Sequence, residues 1–257
     1  PYLRSHPLTT ERMSDMQARI PDADAKGSGV LTMEHALVAA RARVLSNANV
    51  DALLSWAGDA EPVRVARLSP PAQAGALYGA VLAAAKLRDF PAAQTLVVRL
   101  QGVVAADPAA SRLARLLAAE LALIAGQPAR TLQILQGVQG GGRAALFLQA
   151  QAGVLAGQSA QVTQSLQTWL ADHPRDAQGW QLLASAYAAQ GKTLSAVRAE
   201  AEVNVAQLDY PAALTRLKAA QDLARKGAGA GDHIEASIVD TRTRQLELLV
   251  REQAIER

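Results

Sequence analysis

Residues 180–191 read Trp180-Gln181-Leu182-Leu183-Ala184-Ser185-Ala186-Tyr187-Ala188-Ala189-Gln190-Gly191, and 34 positions earlier the chain follows the same scheme. Leu146 falls on Trp180, Ala150 on Ala184, Gly153 on Tyr187 and Gly157 on Gly191. Large and small residues alternate at helical spacing, which sets them on one buried stripe, and the closing glycine suits a helix end. Pro174 lies just before the second copy, where its missing N–H and its ring end the preceding helix. Fainter copies lie upstream. Residues 73–108 hold Leu77, Ala80 and Val81, a turn at Arg88-Asp89-Phe90-Pro91-Ala92-Ala93, then Val97 and Leu100. Residues 112–142 hold Ala118, Ala119 and Ala122, the turn Gly126-Gln127-Pro128, then Leu132 and Leu135. A half-copy follows Leu208-Asp209-Tyr210-Pro211-Ala212-Ala213. Residues 31–45 and 50–56 read as one more helical hairpin, split by Ser46-Asn47-Ala48-Asn49. A lone hairpin cannot bury its apolar stripe, so the copies must stack.

Composition points the same way. Half of the 257 residues are hydrophobic and only 4% aromatic, with Ala, Leu, Gln and Arg dominant. These residues lose little rotamer freedom in a helix, and too few β-branched and aromatic residues remain for a sheet. The spacing of a large residue, a small residue, an aromatic and a glycine resembles the tetratricopeptide repeat. That resemblance implies an all-α, right-handed α-solenoid of stacked helical hairpins, in which the first helix of each pair lines a groove. The expected organisation is a plug or linker segment with a short helix over residues 1–30, hairpins over 31–226, and a loop with a charged capping helix over 227–257.

Several chemistries are excluded or disfavoured. With no cysteine there is no disulfide, thiolate metal site or cysteine nucleophile. The net charge is +3, and residues 61–226 carry 16 Lys/Arg against 10 Asp/Glu without any dense basic cluster, so nucleic acid is not an expected partner. No apolar run approaches the ~18 residues of a membrane span. Gly191-Lys192-Thr193 looks like the tail of a phosphate-binding loop, but Ala186 stands where that loop needs glycine. The Gly-rich stretches 137–142 and 226–232 read as loops between helices. Among His6, His35, His173 and His233 no pair has the i, i+4 spacing of a helical zinc site. Trp56, Trp169 and Trp180 are expected to be packing residues, and no catalytic set is complete within the chain.

The first residues follow another pattern. Pro1-Tyr2-Leu3-Arg4-Ser5-His6-Pro7-Leu8-Thr9-Thr10-Glu11-Arg12-Met13 is no repeat, and because Pro1 is not an initiator the sequence is expected to be a piece or a processed fragment. This stretch resembles the His-Pro segment that follows the catalytic domain in BepA-like zinc metallopeptidases, periplasmic proteases with a tetratricopeptide tail. Thr9 stands where that motif has proline. The resemblance implies a protease domain on the N-terminal side carrying the HExxH zinc helix, which this chain lacks. It also implies His6 as a metal ligand of a plug over that zinc, present only with the protease domain. The expected function is then client recognition in envelope protein quality control, with zinc in the parent protein and none in this chain. Client or assembly-complex proteins and the chain's own protease domain are the expected partners. Phe147, Gln151, Gln178, Gln181 and Ser185 are the expected groove residues, a Gln/Ser-rich lining suited to an extended or partly folded chain. The alternative is a stand-alone repeat scaffold in which His6 has no role.

Overall fold

A computed structural model describes residues 31–225 and 233–255. Among them the chain is all-α, with thirteen helices in sequence. They are α1 (Met33–Ser46), α2 (Val50–Gly58), α3 (Pro62–Val65), α4 (Pro70–Lys86), α5 (Phe90–Val104), α6 (Pro108–Ile124), α7 (Pro128–Gln136), α8 (Gly142–Leu155), α9 (Ser159–Asp172), α10 (Ala177–Ala189), α11 (Thr193–Ala206), α12 (Tyr210–Arg225) and α13 (His233–Ile255). From α4 onward each helix packs on the next, and the first helices of successive hairpins also touch: α4 on α6, α6 on α8 and α8 on α10. This is an α-solenoid of stacked hairpins. Among the described residues no helix is long and apolar enough to cross a membrane.

The turns explain why the copies recur in sequence. After α4, α6, α8, α10 and α11, one residue adopts a left-handed conformation: Arg88, Gly126, Gly157, Gly191 and Leu208. The next N–H reaches five residues back, as from Gln127 to the Ala122 carbonyl or from Asp209 to that of Asn204, which closes the helix in a Schellman turn. The residue that donates this bond also caps the following helix where it is aspartate. Asp89 and Asp209 each accept from the N–H three positions on, while Pro91 and Pro211 fit the first turn, where no N–H is needed. One short sequence thus stops one helix and starts another.

Leu208 is an exception to the glycine rule, with φ +63° and its side chain 64% exposed. A left-handed non-glycine residue is strained by about 1–2 kcal/mol, of which glycine's extra unfolded-state freedom cancels about 0.5–1. Leu208→Gly is therefore expected to stabilise the protein by about 0.5–1 kcal/mol, measured by urea denaturation; a loss of stability would show that the exposed leucine contributes packing.

The buried interior forms three successive apolar clusters. The first runs from α1 to α6 around Leu37, Val81, Leu100 and Leu117, the second joins α8–α11 around Leu166 and Leu183, and the third holds α13 onto α11 and α12 through Leu217, Val239 and Leu246. Trp56, Trp169 and Trp180 pack against these clusters as expected.

The N-terminal hairpin needs correction. Both α1 and α2 form, but each packs chiefly on α4 rather than on the other. The reason lies in two glycines: a Cβ on Gly75 would sit 3.1 Å from the Ala36 carbonyl oxygen, and one on Gly79 would meet Ala40 and Val44. These small residues draw α1 onto α4 backbone to backbone. The sequence reading also missed the short α3, whose first N–H groups are capped by the Glu61 carboxylate.

Candidate functional site

A groove of about 450 Å³ crosses the first helices of the stack, lined by residues of α1, α4, α6, α8 and α10. It opens where the first apolar cluster gives way to the second. Its floor comes mainly from α6, where Leu113, Leu116, Leu117, Glu120, Leu123 and Ile124 share one face because they recur at three- and four-residue steps. Phe147 and Leu148 of α8 extend the floor.

Two arginine–carboxylate pairs flank this apolar strip. On the α1 side, Arg41 donates two hydrogen bonds to Glu120, at 2.7 and 3.1 Å, and a longer one of 3.4 Å to the Tyr78 hydroxyl. The bond to Glu120 holds the Arg41 pKa above its ordinary value, against the opposing effect of burial. Burial pushes the Tyr78 phenol up, although the neighbouring Arg41 cation opposes it. On the α10 side, Arg143 donates from Nε and Nη2 to the two Asp176 oxygens at 2.7 and 2.8 Å, and from Nη2 to Gln178 at 3.0 Å. Its guanidinium also lies 4.3 Å from the Phe147 ring centroid, within cation–π range. Hydrogen bonding from Arg143 is the main reason that the Asp176 carboxyl is lowered to about 2, and bonds from the Trp169 indole N–H and the Gly179 N–H act in the same direction.

The expected groove residues divide accordingly. Phe147, Gln151 and Gln178 come together in the groove. Phe147 is only 4% exposed and packs edge-on against Trp169 at 6.2 Å, so it is floor rather than rim. Gln181 and Ser185 are exposed on α10, one turn apart, but lie beyond the lining; the Ser185 hydroxyl donates to the Gln181 carbonyl oxygen. The lining therefore combines leucines with paired charges rather than forming a Gln/Ser surface. The α6 leucines and both arginines were missed in sequence. The signal for the leucines was present: Ala118, Ala119 and Ala122 mark the packed face of α6, and the leucines out of phase with them mark the groove.

The other candidates fall as follows. Gly191 is the left-handed turn residue between α10 and α11. His173 follows α9, exposed but stacked on the Trp169 ring at 3.7 Å, and His233 is the first residue of α13. Among the described residues no group of three or more His, Asp or Glu is placed to hold a metal ion. His6, the segment 1–30 and the loop 226–232 lie outside the described residues. A second cleft, of about 520 Å³, separates α1 from the α3–α4 connection and is lined by His35, Ala39, Arg43, Arg64 and Leu68 among others. No protein-family model matches this chain, and no curated protein is detectably similar to it.

Proposed function

We propose that this chain is the client-engaging repeat region of a zinc-dependent metallopeptidase of the bacterial envelope, acting in periplasmic protein quality control. The observation that carries the interaction role is the leucine-floored groove shared by five helices, with its charges already paired. Such a surface favours apolar segments exposed by misfolded or unassembled proteins, because burying them releases water while no charge is left unmatched. The protease half of the proposal rests on the His-Pro stretch around His6. In it, a domain on the N-terminal side holds the zinc and cuts, the groove presents the client, and His6 restrains the metal until a client engages.

The test is casein cleavage by the longer, zinc-loaded protein that contains this chain, compared with its His6→Ala variant. Faster cleavage by the variant, with zinc retained, is the expected result. If neither protein cleaves and neither binds zinc, the protease half is overturned and a stand-alone scaffold is left.

A further inference from the structure

We infer that the groove takes its client as an amphipathic α-helix rather than as an extended strand, an inference that rests on the groove being the client site. The argument begins with what the floor lacks. Every wall is a helix, whose backbone N–H and C=O groups are satisfied within it. The strip formed by Leu113, Leu116, Leu117, Leu123, Ile124 and Leu148 is aliphatic, and Glu120, which sits among these α6 residues, already accepts from Arg41 with both oxygens. An extended segment lying there would bring its own backbone donors and acceptors into apolar surroundings without partners, at about 1–3 kcal/mol each. A helix satisfies its backbone internally and presents only side chains.

The dimensions agree. From Leu113 to Ile124 the floor runs about 16 Å at 1.5 Å per residue, the length of three helical turns. A volume of about 450 Å³ accommodates a few large aliphatic side chains, the anchors that such a helix shows at i, i+3 or i+4, and i+7. Charge complementarity narrows the partner further. Arg41 is held by Glu120, and Arg143 by Asp176 and Gln178, so each positive charge is already balanced by a carboxylate of the chain and gives a ligand carboxylate little net attraction. The docked face is therefore uncharged. The amide of Gln151 and the Tyr78 hydroxyl suit neutral polar residues at its margins.

The probe is an amphipathic peptide of about fourteen residues, leucine at every third or fourth position and Gln or Ala elsewhere, compared with the same composition interrupted by two prolines. Binding by isothermal titration is expected for the first, with affinity at least about tenfold above that of the second. Ile124→Glu, at a half-exposed floor position, is expected to weaken it by about tenfold or more, whereas Leu155→Glu, exposed on α8 and outside the lining, leaves it unchanged. Equal binding of both peptides, abolished by Ile124→Glu, would overturn the helix inference and leave the groove as client site. Binding indifferent to Ile124→Glu, or no binding of either peptide or of reduced, unfolded casein, would overturn the groove itself.

Discussion

Asp176→Ala is expected to remove about 3 kcal/mol of stability and to loosen α8, α9 and α10 together. No other carboxylate in the groove region has so many separate tasks. It caps α10 by accepting from the Gly179 N–H, accepts from the Trp169 indole N–H at 3.0 Å, and takes both prongs of Arg143. Loss of an N-cap costs about 1 kcal/mol. Leaving the half-buried Trp169 N–H without a partner costs about 1–2 kcal/mol more. The Arg143 pair adds less than its geometry suggests, since Arg143 is about half exposed and water screens it. Asp176→Asn removes the charge and keeps an acceptor for only one of the two, because Gly179 bonds Oδ1 and Trp169 bonds Oδ2, so a loss of about 2 kcal/mol, smaller than that of Asp176→Ala, is expected.

The same residue sets an acid limb. Its folded pKa of about 2 lies below the ordinary carboxylate value of 3.8, so its contribution is fully present above pH ~5. It declines as pH falls from about 5 and is gone at about pH 1, an amplitude of at most about 2 kcal/mol before screening. Urea denaturation of the wild type and Asp176→Asn between pH 2 and 6 checks this. The two stability curves should converge at the acid end; parallel curves would mean that folding does not lower the Asp176 carboxyl.

Such contacts show where the sequence was legible. The solenoid could be read because its determinants are local. Gly157, Gly191 and the Asp-x-Pro turns at Asp89 and Asp209 act on neighbours a few residues away, and the alanine positions recur at the helical period. The groove floor was partly legible through the phase of the α6 leucines. What escaped was whatever joins distant positions. Arg41 and Glu120 are 79 residues apart and Arg143 and Asp176 are 33 apart, and nothing in either local pattern names its partner. The α1–α2 pair was misread for a related reason. Two adjacent amphipathic segments imply a hairpin by default, and only the contact of Gly75 and Gly79 with Ala36 and Ala40 shows that α4 competes successfully for α1. On α10, Gln181 and Ser185 lie outside the cavity that Gln178 lines, and the exposed spacing of the three does not reveal where that cavity ends.

Arg242→Ala is expected to free the final helix while the rest of the stack stays folded. Arg242 of α13 donates from Nε and Nη2 to the two Glu202 oxygens of α11, at 2.6 and 2.8 Å, and a second pair joins Arg198 to Glu235. The Glu202 side chain is only 10% exposed, so removing its partner strands a carboxylate where water reaches it poorly, at about 3–5 kcal/mol. In a solenoid each element depends on its neighbours, and a terminal helix has a neighbour on one side only. That loss therefore falls on α13, which holds to α12 and α11 mainly through Val239 and Leu246 against Leu217. Hydrogen exchange should show protection lost across α13 and kept in α8–α10, with limited proteolysis cutting within α13. The double variant Arg242→Met/Glu202→Leu removes both charges and fills part of their volume, so it should recover most of the loss. If the double variant is as unstable as Arg242→Ala, the stranded carboxylate is not the cause and the packing of the arginine stem holds the helix instead. A loss of protection spread evenly through α4–α13 would show that the stack unfolds as one unit rather than fraying from its end.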